Sequence, residues 1–180
     1  MGLTYIASVT ASSSATLSFT TGIDSTYNEY QFHMVNMHPA TDSTAFGFQF
    51  NADGGSGFNE TITSTFFKAE HNEGDSGTGL GYHTPSDQAQ GTAYQRMSYD
   101  MEIDNDEAFS GILTLYAPSS TTYVKHFTAR ANESHYLDTT IDYYSAGYIN
   151  TTNAIDEISF QFSSGNIDAG VIKMYGIATS

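Results

Sequence analysis

The sequence predicts an all-β fold, an antiparallel β-sandwich of the jelly-roll kind, and three observations carry that prediction. Apolar and polar residues alternate with a period of two in segment after segment, the period of a strand with one buried face. Polar, glycine-rich turns separate these segments at short intervals. The core material is aromatic, with 13 Tyr and 12 Phe against six Leu, and Tyr, Phe, Thr and Val suit a pleated, half-buried surface better than a helix.

The segments follow one another along the whole chain. Residues 5–9 and 15–19 open the series, and Tyr30, Phe32 and Met34 then alternate with Gln31, His33 and Val35. Phe46, Phe48 and Phe50, separated by Gly47 and Gln49, give the clearest strand, with one aromatic face turned inward. A strand is expected within 61–70, another over 97–103 (Met97, Tyr99, Met101 and Ile103 on one side), and another over 111–116. Tyr123, Lys125, Phe127 and Ala129 oppose Val124, His126, Thr128 and Arg130, and further strands are expected over 139–149 and 155–162. The last segment, Val171 to Ile177, is apolar on both faces, which predicts a strand covered on both sides, either central in a sheet or wedged between the body of the domain and a partner subunit. About ten strands exceed what one open sheet of this length holds, so two packed sheets are expected. Residues 70–90 contain few large apolar side chains and read as a long loop.

With 180 residues, and with no internal repeat or linker, the chain reads as one domain over 1–180, large enough to bury about 70% of its unfolded surface. Lys and Arg number 5 against 20 Asp and Glu, a formal charge of -15. Affinity for phosphate backbones and anionic bilayers comes from cations, so neither nucleic acid nor membrane is an expected partner. Cysteine is absent, which removes disulfides and thiol chemistry and fits assembly in a reducing bacterial cytoplasm. Residues 1–6 lack the basic start of an export signal, and no run approaches the ~20 apolar residues of a membrane span.

The motifs that suggest chemistry each have a plainer reading. Gly74-Asp75-Ser76-Gly77, with His71 nearby, resembles the nucleophile loop of chymotrypsin-like proteases, yet lies in an Asn/Gly/Ser/Thr-rich run that turn chemistry explains. His33, His38, His71, His83, His126 and His135 show no metal-binding spacing, and His33 and His126 are expected to face solvent or a cross-strand partner. Asp104-Asn105-Asp106-Glu107 gathers oxygen ligands without the EF-hand pattern, and Asp156-Glu157 reads as a turn before a strand. Tyr136, Tyr143, Tyr144 and Tyr148 raise a sugar-binding platform as the alternative to core edge or subunit interface. Asn59-Glu60-Thr61, Asn132-Glu133-Ser134 and Asn150-Thr151-Thr152 fit the glycosylation triplet and read as turns. The expectation is therefore no catalytic residue, no cofactor and no metal.

Longer phrases carry a family resemblance. Ala11-Ser12-Ser13-Ser14-Ala15 before Leu17-Ser18-Phe19, Gly22-Ile23-Asp24-Ser25-Thr26-Tyr27, Gly54-Gly55-Ser56-Gly57-Phe58-Asn59-Glu60-Thr61 and Tyr148-Ile149-Asn150-Thr151-Thr152 precede a glycine turn and a closing strand with a Tyr175-Gly176-Ile177 finish. Over nearly its whole length the chain resembles uncharacterised virion structural proteins of tailed marine bacteriophages. The resemblance implies a non-enzymatic role on the particle, first as a capsid decoration or cement protein on the exterior, with the major capsid protein or another virion protein as partner. A head-fibre or tail-associated position, with receptor or carbohydrate binding, is the alternative. A homo-oligomer, with a trimer as first guess, completes the expectation.

Overall fold

A computed structural model describes residues 2–178; Met1, Thr179 and Ser180 of the expected 1–180 domain lie outside the described residues. The alternation read from the sequence is the alternation of burial. It is cleanest in β9 (Lys125–His135), where every second side chain is buried and every other one exposed. In β3 (Glu29–Pro39), Tyr30, Phe32 and Met34 turn inward, and Phe46, Phe48 and Phe50 of β4 (Phe46–Ala52) are fully buried. The remaining strands are β1 (Leu3–Thr10), β2 (Leu17–Phe19), β5 (Ile62–Asn72), β6 (Thr78–Tyr82), β7 (Gln95–Arg96), β8 (Phe109–Tyr116), β10 (Thr139–Ile149), β11 (Ile155–Phe162) and β12 (Ile167–Ile177). A short 3-10 turn at Thr84–Ser86 is the helical element among the described residues.

The strands form two antiparallel sheets, as the aromatic alternation predicts. The larger has the order β1-β12-β3-β8-β9-β10-β5-β6 and the smaller β2-β11-β4-β7. Phenylalanines lock the two together. Phe48 meets Phe127 edge-on at 5.1 Å between ring centres, Phe46 meets Phe109 at 5.2 Å, and Phe160 meets Phe32 at 5.8 Å. Offset and edge-to-face contacts of this kind add about 0.5–1.5 kcal/mol per pair to the roughly 1.5–3 kcal/mol of burying each ring. At Gly147 of β10 the packing is so close that a Cβ would stand 2.4 Å from the Thr63 carbonyl oxygen and 2.8 Å from the Phe127 ring, so only glycine fits.

Sequence and structure part company in four places. Residues 70–90 are not one loop: β5 runs on to Asn72, turns, and returns as β6, because Gly79-Leu80-Gly81-Tyr82 alternates small inward with large outward groups. The strand expected over 97–103 is reduced to β7 at Gln95–Arg96, followed by irregular chain with an isolated bridge between Thr44 and Met101. Met97 and Met101 are buried all the same, so their alternation reports burial without a ladder. Asp156-Glu157 lies inside β11 at a register shift, and Asn132-Glu133-Ser134 lies within β9, so neither is a turn. Strand β12 is internal as expected, paired with β1 and β3, but its outward residues Val171, Lys173, Tyr175 and Ile177 are only half-buried.

Candidate functional site

Cross-strand register places one row of side chains across the outer face of the large sheet: Lys173, His33, Ile112, Arg130, Tyr144, Phe67 and Tyr82. The Phe67 and Tyr144 rings stack at 4.7 Å with planes 3° apart, and the Arg130 guanidinium lies 5.1 Å from the centre of the Tyr144 ring. Arg130 is itself held by Asp142 through two nitrogens, at 2.7 Å for the shortest bond. The row stands up as a ridge between two hollows. One, of about 310 Å³, is floored by Thr114, Thr128 and Ala146; the other, of about 360 Å³, lies beside Ser110 and Asn132.

The charge on this face is unlike that of the rest of the molecule. At the outward positions of all eight strands the ionised groups are Arg130 and Lys173 against Glu29, Asp142 and Asp168, a net charge of -1. Nearly all of the formal charge of -15 is therefore carried elsewhere on the chain. Depletion of charge with retention of aromatic and Arg side chains is the composition of a protein interface core.

A second site lies on the inner side of the same sheet, where β5 and β6 extend past the small sheet. Lys68, Glu70 and Asn72 point inward there, and β6 opposes the first two with Gly81 and Gly79, which have no side chain to cover them. The hollow of about 370 Å³ is closed on its other sides by Tyr99, His135, Thr139 and Ile141. Lys68 Nζ donates to Glu70 Oε2 at 2.5 Å and to the Tyr99 hydroxyl. Burial opposes the ammonium charge of Lys68, but these two partners outweigh it and hold its pKa above the usual lysine range. His83 stacks on the Tyr99 ring at 4.4 Å and fixes it.

Behind this hollow lies a buried carboxyl group. Glu133 is 1% exposed and accepts a hydrogen bond from the Tyr143 hydroxyl at 2.9 Å, while its Oε1 has no partner among the described residues. Burial, reinforced by Glu107 and Asp100, raises its pKa to about 8, so the acid is protonated at neutral pH. Burial also lowers the pKa of His135, whose ring is neutral; Leu137 N–H donates to its Nδ1 at 3.4 Å and its Nε2 has no partner. In the sequence both residues look like ordinary members of an alternating strand. Their inward parity, which continues that of Phe127 and Ala129, is the only signal, and what they face inside is decided by the packing around β9.

The residues singled out from sequence do not converge. Ser76 Oγ accepts a hydrogen bond from Asn72 in the β5–β6 turn, and His71 contacts Asp75 at 3.1 Å and not Ser76, so the protease-like tetrapeptide is turn chemistry. His33 packs on Tyr175 and bonds Gln31, and His126 lies beside Tyr148, both on the outer face as expected. Asp104 to Glu107 closes a backbone turn, with Glu107 N–H donating to the Asp104 carbonyl. Among the described residues no three His, Asp or Glu side chains gather into a cage for a metal ion. The four tyrosines are dispersed: Tyr143 is in the core, Tyr136 packs at a tilt against His135 at the β9–β10 turn, and Tyr144 and Tyr148 lie on the outer face. The Tyr144 ring faces are occupied by Phe67 and Arg130, so the outer face offers ring edges and no flat sugar platform there.

No protein-family model and no curated protein matches this chain. Among solved structures, it is similar to a structural-genomics protein of unknown function from Bacteroides ovatus, with a TM-score of 0.31 and 7% identity. The matched region covers 58% of this chain and 45% of that one, so the chain spans less than half of that protein's length. So loose an overlap says nothing about fold or role.

Proposed function

We propose that this chain is a non-enzymatic structural protein of a tailed-bacteriophage particle, a decoration or cement subunit that docks on the capsid exterior through the outer face of its eight-stranded sheet. The virion setting rests on the sequence resemblance, and the mode of action on one observation: the outer face carries a net charge of only -1 in a chain of -15. Eight strands span about 34 Å, and all of them but the short edge strand β6 run about 26 Å or more, so the face presents on the order of 900 Å². That is the share of one partner in an interface of standard size. Docked in this way, the subunit turns its carboxylates to solvent, where they keep particles apart.

The path of the chain supports the jelly-roll form of the sandwich. Strands β2 and β4 lie in the small sheet and β3 and β5 in the large one, and after β6 the chain returns through β7, then the β8–β10 meander, β11 and β12. We read this as two interlocked antiparallel keys in which a three-stranded meander occupies the place of one strand. The expected homo-oligomer, with the trimer as first guess, is read by light scattering. Docking itself is tested on purified particles, with a photo-cross-linking residue at position 112 and with Ile112→Arg. Cross-links from 112 to a virion protein, and loss of the variant from particles without a change in melting temperature, are expected. A variant retained on particles as well as the parent refutes the docking face, and absence of the parent from particles refutes the virion setting.

A further inference from the structure

We propose that the hollow under the β5–β6 overhang is a binding site for one neutral sugar residue, which seats a vicinal pair of ring hydroxyls between Lys68 and Glu70. A hydroxyl both donates and accepts, so it is matched by a donor and an acceptor side by side. Lys68 spends two of its three N–H groups on Glu70 and Tyr99, leaving one, and Glu70 Oε1 makes no hydrogen bond among the described residues. Because the Tyr99 hydroxyl accepts from Lys68, its own proton is available to a ligand oxygen. His135 in the wall has a buried Nε2 without a partner, a group that costs stability until something pairs with it.

The rest of the hollow fits the other half of a sugar ring. Ile141 and Leu137 supply apolar surface for ring C–H groups, and Thr78 and Thr139 add hydroxyls at the rim. Its volume of about 370 Å³ lies at the lower end of small-molecule sites. Charge decides between ligand classes. The Lys68 ammonium is matched by Glu70 at 2.5 Å in a molecule of formal charge -15, so an anion gains no net attraction, and a cation would meet the ammonium. A neutral polyhydroxylated ligand meets neither obstacle. The two β6 residues opposite Lys68 and Glu70 are glycines: around Gly81 the space for a Cβ is empty, and the Glu70 carboxylate lies over Gly79.

The inference is independent of the virion setting and is tested on the isolated protein by saturation-transfer NMR. The probes are the methyl glycosides of glucose, galactose, mannose and N-acetylglucosamine, with N-acetylneuraminic acid and inorganic phosphate as anionic arms. Saturable millimolar binding of at least one neutral glycoside is expected. Glu70→Gln and Gly81→Phe should each weaken it by about tenfold or more, the first by loss of a charged acceptor and the second by blocking the mouth. Gly81→Phe lies on an exposed edge strand and keeps the assay informative if Glu70→Gln disturbs folding. Ile112→Arg on the opposite face should leave sugar binding unchanged. Absence of saturable binding by all four glycosides, preference for an anionic probe, unchanged binding in Gly81→Phe, or loss of binding in Ile112→Arg each overturns the site.

Discussion

Replacing Glu133 by Gln isolates the energetic effect of burying a carboxyl group in this sheet. The side chain is 1% exposed, and its pKa rises from an ordinary 4.5 to about 8 because burial penalises the charged form. A native state that holds a proton more tightly than the unfolded chain is most stable below pH 4.5, and loses that stability as pH climbs through the folded value. Linkage puts the loss at below about 1 kcal/mol at pH 5, about 3 kcal/mol at pH 7 and about 5 kcal/mol at pH 9. Glutamine has the shape of the protonated acid and keeps an acceptor for the Tyr143 hydroxyl, but does not ionise. Urea denaturation of both proteins at those three pH values gives the difference directly, since Glu107 and the other carboxyls titrate in each. Glu133→Gln should be close to neutral at pH 5 and increasingly stabilising above it. A variant whose stability runs parallel to the parent from pH 5 to 9 would refute the buried, protonated acid.

Other expectations follow from packing and topology. Gly147→Ala should destabilise by about 1–3 kcal/mol, read as a lower melting temperature, because the new methyl group meets backbone of β5 and the Phe127 ring and neither can withdraw. Deleting residues 171–177 removes Ile172 and Met174 from the core and leaves β1 and β3 without the strand between them. The expected product is unfolded or aggregated by circular dichroism and light scattering, and a soluble folded monomer would show that β12 is dispensable. Thermal melts with and without EDTA should superimpose, since neither the histidines nor Asp104 to Glu107 assemble a cage among the described residues; a fall of many degrees on chelation would reveal a bound metal.

The sequence by itself determined the fold class and most of the core. A period of two with aromatic residues on one parity allows only a half-buried strand, and so Tyr30, Phe32, Phe46, Phe48, Phe50 and Phe127 could be assigned to the interior from spacing alone. It also exposed the protease-like tetrapeptide as a turn, because Asn, Gly and Ser at those positions satisfy their own backbone. Where the periodic signal was weak the reading failed. The β5–β6 hairpin escaped notice because glycines hold its inward positions, and β7 is too short to show a period. Neither surface site was legible, for one physical reason. The outer ridge joins Phe67, Arg130 and Lys173, and the polar hollow joins Lys68, Tyr99 and His135, residues that adjoin only after strand order and register are fixed. Alternation says which way a side chain points on its own strand; which strand lies beside it, and so whether Glu133 meets water or an apolar wall, is decided only when two sheets of unequal width close over one another.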